Sequence, residues 1–277
     1  MNRKKITSSS VPEIIERYQV HPKKGMGQNF LFEEDCLARI AESANIQADE
    51  SVLEIGPGLG SLTRHLARQA KTVIAVELDM NLVSILKNEL SNHGNIKIIH
   101  GDILDMDPSD LFPDTEYLVV ANIPYNITSL IIRHLLDAEK KPKRIILTVQ
   151  KEVAERICEC QGDMSLLALS VQIYGNPSCL FTIPAEAFHP VPQVDSAVVQ
   201  INIYPQPLLP LSQMGIFFRL AKAGFSQKRK TLRNSLSPLL GRIEAETSLL
   251  AAGIDPSRRP ETLSISEWLS LCDHVAK

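Results

Sequence analysis

Val52-Leu53-Glu54-Ile55-Gly56-Pro57-Gly58-Leu59-Gly60, followed by SLTRHLARQA over residues 61–70, is the stretch whose reading decides the fold. A short apolar run leads into a glycine-rich turn, and the turn opens a segment patterned as a helix. Strand, glycine turn and helix in that order begin a nucleotide-binding α/β unit. The glycines let backbone approach a ligand closely, and the helix N-terminus favours polar or anionic groups. A dinucleotide-binding fingerprint would need a third glycine where Ser61 stands, so the spacing argues against one. Downstream, VIAVELD (Val73 to Asp79) is a second apolar strand that ends in an acid, Glu77. In doubly wound folds a ribose-binding carboxylate sits there.

The alternation continues on both sides of this unit. Strands are expected at Ser51–Ile55, Thr72–Glu77, Ile96–His100, Tyr117–Asn122 and Arg144–Gln150, with helices near Leu59–Ala70, Met80–Leu90 and Thr128–Leu136. Continuous apolar strands separated by helices specify a parallel sheet covered on both faces. Ligands then bind outside the carboxyl ends of the strands. Gly56, Glu77, Asp102 and Asn122 all fall at those ends.

Asn122 opens NIPY, residues 122–125. The asparagine side-chain oxygen and the Pro124 carbonyl can both accept hydrogen bonds, the proline fixes the turn, and Tyr125 offers a flat surface. That kit suits an exocyclic amine on a planar base. Such an amine is a poor nucleophile because its lone pair is delocalised into the ring. Two acceptors on its hydrogens favour the pyramidal form whose lone pair can attack.

Other segments carry weaker signals. HPKKGMGQNFLFEED (His21 to Asp35) reads as a mobile loop leading into a helix over about Glu33–Ala44, with Asn29 and Leu31 available to cover a ligand. AFHPVPQVDS (Ala187 to Ser196) reads as a proline-stiffened loop in which Phe188 is either held out to stack on something flat or anchored in the core. It lies between strand candidates at Cys179–Ile183 and Ala197–Ile203. YPQPLLPL (Tyr204 to Leu211) reads as a linker, and the remainder as helical. The expected organisation is a leader over 1–20, a catalytic domain over 21–204 and a small helical domain over 205–277.

With 277 residues, 44% hydrophobic and 22% charged, the chain can bury one large core plus a small second domain. The net charge of −3 conceals an asymmetry: Ser196 to Ile243 contains no Asp or Glu but holds Arg219, Lys222, Lys228, Arg229, Lys230, Arg233 and Arg242. One concentrated basic stretch on an otherwise acidic chain suggests a polyanionic partner. The five cysteines are odd in number and scattered, and Cys158 and Cys160 lack a second pair, which speaks against zinc and for a reducing compartment. No apolar run approaches membrane-spanning length and no signal peptide is evident, so a cytoplasmic protein is expected.

Together GQNFL, EIGPGLG, VELD, GDIL, NIPY, FHPVPQVDS and FSQKRKTLRNSL resemble, in order, the motifs of the ribosomal RNA adenine N6,N6-dimethyltransferases. The resemblance runs from about His21 to the C-terminus. It implies a Rossmann-like seven-stranded sheet whose last two strands form an antiparallel excursion, a small C-terminal helical domain, and S-adenosylmethionine as methyl donor. Position by position, Asn29 and Leu31 would cover the methionine end and Gly56 and Gly58 the glycine turn. Glu77 would take the ribose hydroxyls, Asp102 the adenine amine, and Asn122 would sit beside the transferable methyl. In catalysis Asn122 and the Pro124 carbonyl would hold the target amine while Tyr125 and Phe188 stack on its ring. Lys228, Arg229, Lys230 and Arg233 would grip RNA phosphates. The family's substrate is two adjacent adenosines in a hairpin loop near the 3′ end of 16S rRNA, in the assembling 30S subunit. A metal-free monomer is the default expectation. Two rivals remain: a ribosome-assembly factor that binds without catalysis, and a DNA adenine-N6 methyltransferase, for which no duplex-reading domain is evident.

Overall fold

In the computed structural model, residues 10–227 and 229–275 are described. The chain opens with α1 (Val11–Tyr18), then β1 (Phe30–Leu31) and α2 (Glu34–Ser43). Next come β2 (Ser51–Ile55), α3 (Ser61–Ala67), β3 (Thr72–Glu77), α4 (Met80–Glu89) and β4 (Ile96–His100). β5 (Tyr117–Asn122), α5 (Thr128–Asp137) and β6 (Arg144–Gln150) complete the parallel part. Among the described residues, seven strands form the main sheet. The five from β2 to β6 have the bounds that their apolar patterning predicts.

β2, β3, β5 and β6 are buried throughout their middles because helices cover both faces: Val52, Leu53, Val119, Val120 and Ile146 have no exposed surface; β4, at the edge of the sheet, is only partly covered. α3 starts two residues later than the pattern suggests. Gly60 takes a left-handed φ of 79° and caps the helix; a Cβ there would sit 3.1 Å from Leu86 and Leu90. The helix also ends early, at Ala67, where the Asn95 side-chain amide donates to the carbonyls of Ala67 and Ala70 at 2.9 and 3.0 Å.

After β6 come α6 (Lys151–Ile157), α7 (Leu166–Gln172), β7 (Gly175–Ile183), β8 (Phe188–His189) and β9 (Ser196–Ile203). The strand order is β4-β3-β2-β5-β6-β9-β7. β2 pairs in parallel with β3 and with β5, and β9 runs antiparallel to β6 with Gln150 opposite Ser196. This is the Rossmann-like sheet with an antiparallel excursion.

The His21–Asp35 segment departs from the mobile loop expected of it. Lys24–Met26 forms a 3-10 turn, and β1 pairs antiparallel with β8, setting Phe30 opposite His189 and Leu31 opposite Phe188. The two glycine- and proline-rich loops therefore fix each other through backbone hydrogen bonds. The described part of the leader is also ordered: Val11 and Ile14 of α1 pack with Phe30, Leu59, Leu82 and Ile85. Arg17 and Tyr18 bond the Glu89 carboxylate of α4 at 3.0 and 2.9 Å.

Phe188 must be corrected. Its ring is 1% exposed, packed in the core cluster that includes Leu31, Leu37, Ile40, Val120 and Ile146. The pairing with β1 turns its side chain inward, so it is an anchor and presents no face to a ligand.

Two compact units emerge: residues up to 154 with 178–202, and 155–177 with residues from 203 onward. The division is not a single cut near residue 204. Residues 155–177 join the second unit because Tyr204 and Leu208 donate their backbone N–H groups to the carbonyls of Tyr174 and Ile173, which also pins the proline-rich segment. The second unit contains α8 (Leu211–Gly224), α9 (Leu232–Leu240), α10 (Arg242–Ala251) and α11 (Ile265–Val275). Its core is built on the fully buried Trp268, stacked on Phe225 with ring centroids 5.6 Å apart; a Cβ on Gly224 would lie 2.6 Å from the indole.

Truncating a buried phenylalanine removes its transfer energy and leaves a cavity. Phe188→Ala should therefore lower unfolding stability by about 3–5 kcal/mol. Phe188→Leu, which leaves a smaller cavity, should cost less than the alanine variant. Denaturant melts with an unchanged slope for both variants would check this.

Candidate active site

The carboxyl ends of β2, β3 and β5, together with the loop after β4, open into one cavity of about 280 Å³. Residues 25–30 line it on one side, with Gly56, Gly58, Glu77, Gly101, Asp102 and residues 122–127 on the others. Parallel pairing explains the convergence, because strands running the same way end on the same edge.

Gly56 and Gly58 hold left-handed φ values of 66° and 60°. The turn brings the Gly58 N–H onto the Glu77 carboxylate at 3.1 Å, and the other Glu77 oxygen accepts the Asp79 N–H at 2.9 Å. Burial raises the Glu77 pKa; these backbone donors oppose the shift and fix the direction of the carboxylate. Each oxygen keeps a lone pair, which suits a vicinal diol. Asp102 turns one carboxylate oxygen back to accept the Leu104 N–H at 2.9 Å.

The NIPY end of the cavity is oriented by the roof over it. Asn122 donates its side-chain N–H to the Asn29 carbonyl at 3.3 Å, which turns its Oδ1 the other way; among the described residues no hydrogen bond to that oxygen is seen. The Pro124 carbonyl accepts the Ile127 N–H at 3.3 Å and retains its second lone pair. The Tyr125 hydroxyl shares a 2.6 Å hydrogen bond with the buried Ser196 hydroxyl, tying the ring to β9; burial pushes the phenol pKa up.

The cavity thus brings together Asn29, Gly56, Gly58, Glu77, Asp102, Asn122, Pro124 and Tyr125. Leu31 is not on its wall: the side chain is 3% exposed, in the core and beside a smaller cavity of about 40 Å³ that shares Gly56, Gly58 and Asn122. Phe188 lines neither. Of the cations expected to hold RNA, Arg229 and Lys230 are exposed in the turn before α9, not on a helix. Arg233 is on α9 and pairs with Glu246 at 3.4 Å. Lys228 lies outside the described residues. Among the described residues, no group of three or more His, Cys, Asp or Glu is placed to hold a metal ion.

Sequence reasoning passed over Gln28, Asp79, Ser196 and Glu54. Asp79 carried a signal, since an acid directly before MNLVSIL is in the N-cap position of a helix. It accepts the Asn81 N–H at 3.1 Å. Glu54 is fully buried behind the glycine turn, with a pKa pushed up to about 8, chiefly by desolvation and further by the Glu77 charge.

The acceptors and apolar wall of the cavity fit an adenosyl ligand. Gly56 adds no side chain to the floor; the Glu77 carboxylate is held for a diol, and Ile103 offers apolar wall beside Asp102. When bound, S-adenosylmethionine supplies a methyl group on a cationic sulfonium. A doubly wound sheet with this crevice and an oriented Asn-Ile-Pro-Tyr turn defines an S-adenosylmethionine-dependent methyltransferase. The family model "Ribosomal RNA adenine dimethylase" matches residues 20–277. A Dehalococcoides mccartyi (strain CBDB1) protein named ribosomal RNA small subunit methyltransferase A is 45% identical over 94% of this chain and 90% of its own. Two solved structures are similar. The 23S rRNA methyltransferase ErmE has a TM-score of 0.73 at 30% identity, covering 90% of this chain and all of its own. A dimethyladenosine transferase from Plasmodium falciparum has a TM-score of 0.72 at 26% identity, covering 86% and 94%. The chain belongs to the ribosomal RNA adenine dimethylase family.

Because the folded-state pKa of Glu54 is raised, its contribution to stability is complete below the ordinary glutamate value and is lost as pH rises toward about 8. Unfolding free energy of the wild type should fall between pH 5 and pH 8 relative to that of Glu54→Gln. Parallel pH profiles for the two would contradict it.

Proposed function

We propose that this enzyme converts two adjacent adenosines, in a hairpin loop near the 3′ end of 16S rRNA, to N6,N6-dimethyladenosines. It acts on the assembling 30S subunit, as a cytoplasmic monomer that needs no metal. The observation that carries the reading is Asn122, whose Oδ1 is turned free by the bond to Asn29 beside the Pro124 carbonyl.

In this reading Asn122 Oδ1 and the Pro124 carbonyl accept the two N6 hydrogens. Their pull draws the nitrogen lone pair out of conjugation and toward the methyl group. The Tyr125 ring, held by Ser196, supports the extruded base. Glu77 takes the ribose hydroxyls of the cofactor, Asp102 its adenine amine, and the backbone near Asn29 its methionine end. In-line transfer needs no covalent enzyme intermediate, so positioning and the fixed dipoles around the amine supply the rate. The second methylation requires the site to admit a monomethylated amine, which offers one hydrogen and so occupies only one of the two acceptors. Arg229, Lys230 and the segment around Arg233 hold RNA phosphates, and binding should weaken with salt. Support for the small-subunit substrate comes from the 45% identity to a small-subunit methyltransferase, against 30% to the large-subunit enzyme ErmE.

The test is transfer from labelled S-adenosylmethionine to unmethylated small subunits, with naked 16S rRNA, 23S rRNA and duplex DNA alongside. Dimethyladenosine on the small subunits is expected. Transfer only to 23S rRNA or DNA would reassign the substrate, and tight subunit binding without transfer to any of them would leave an assembly factor.

A further inference from the structure

The roof of the cavity, residues 23–29, is held by contacts that meet on one side chain, Asp79. Asp79 is 4% exposed. Its Oδ2 accepts from the Lys23 ammonium at 2.7 Å and from the Gln28 side-chain amide at 3.3 Å. Gln28 is gripped at its other end too, since its Oε1 accepts the Lys23 backbone N–H at 2.8 Å. Lys23, Gln28 and Asp79 therefore close a ring across the base of the roof. Asp79 Oδ1 meanwhile caps α4 by accepting the Asn81 N–H at 3.1 Å, and the Asp79 backbone N–H donates to Glu77 at 2.9 Å.

We propose that Asp79 is a positioning residue for the cofactor: its buried carboxylate latches the 23–29 roof beside the Glu77 carboxylate, which the backbone N–H of the same residue holds on the wall of that cavity. The inference rests on reading that cavity as the S-adenosylmethionine site. Its physical basis is a division of labour between the two carboxylate oxygens. Oδ1 has a structural task, the helix cap, which any side chain with a well-placed acceptor can perform. Oδ2 has the latch, where the contact with Lys23 is charge-assisted and sheltered on the Asp79 side. Burial alone would push the Asp79 carboxyl up, but the Lys23, Asn81 and Gln28 contacts together hold it below the ordinary aspartate value, so it stays charged through the neutral range. Roof order and the Asn122 orientation are linked through the same short segment, because Asn29 accepts from Asn122 one residue beyond Gln28. An unlatched roof would loosen the cofactor and the free Oδ1 of Asn122 together.

The two tasks can be separated. Asp79→Asn keeps an oxygen for the α4 cap but loses the charge that holds Lys23. Lys23→Met removes the latch from the other side and leaves Asp79 as cap. Two readouts apply: amide hydrogen exchange across residues 25–32 in the protein without cofactor, and the calorimetric Kd of S-adenosylhomocysteine. Either variant should exchange faster across 25–32, with α4 amides and melting temperature close to wild type. Each should bind S-adenosylhomocysteine about 5- to 30-fold more weakly, and the double variant should bind no more weakly than the worse single one. The KM for S-adenosylmethionine should rise more than kcat falls. Unchanged exchange and unchanged affinity in both single variants, or additive losses in the double, would overturn the latch. If the wild type itself failed to bind S-adenosylhomocysteine, the reading of the cavity would fall instead. Asp79→Ala, which loses cap and latch together, is the structural control: loss of melting temperature in that variant alone fits the division of tasks, and loss in all three contradicts it.

Discussion

Parallel pairing of β2 with both β3 and β5 is the constraint on which the rest depends. Ser51 is level with Thr72 on one side and Tyr117 on the other. With starts in register and similar lengths, the strands deliver Gly56, Glu77 and Asn122 to one edge. At that edge the strand order switches sides, and a crevice has to form. A one-residue slip would turn alternate side chains through the sheet and exchange Glu77 with the buried Val76. The apolar cover on both faces makes that slip costly, so core packing and site geometry are secured by the same pattern.

Around this edge, charge is handled by backbone more than by opposite charge. Glu77 accepts from backbone N–H groups, among them those of Gly58 in the glycine turn and of Asp79. Glu54 lies deeper and is held toward its neutral form by burial. The arrangement leaves acceptors on the wall, suited to hydroxyl and amine donors. The basic stretch belongs to the other compact unit, where Arg229 and Lys230 stand in an exposed turn. The nucleoside-binding edge and the basic stretch thus fall in different compact units of one chain.

Most of the sheet was legible because each strand is a short apolar run bounded by polar or glycine positions, and burial on both faces removes the ambiguity of alternation. The residues at strand ends followed from topology alone. What escaped was set by contacts between segments distant in sequence. Nothing local in GQNFLF or AFHPV says that the two pair, yet that ladder of two residues in each strand orders the roof and buries Phe188. The segment after the proline-rich linker read as helical throughout, but α9 begins only at Leu232, which leaves Arg229 and Lys230 in the preceding turn. Likewise the Tyr125–Ser196 bond joins two recognised motifs 71 residues apart, and only the β6–β9 pairing brings them into contact. Local chemistry named the parts of the site; the long-range pairings decided which side chains face it.

The central claim is that Asn122, oriented by the roof, activates the target amine. The most direct measurement sets the single-turnover methyl-transfer rate of Asn122→Ala on small subunits beside its affinity for S-adenosylhomocysteine. The account predicts that transfer falls by about 10²- to 10³-fold, the scale of losing one preorganised polar contact at the reacting centre, with affinity changed less than about tenfold. A variant that transfers at the wild-type rate would contradict it, and so would one whose loss of rate is matched in full by loss of cofactor binding.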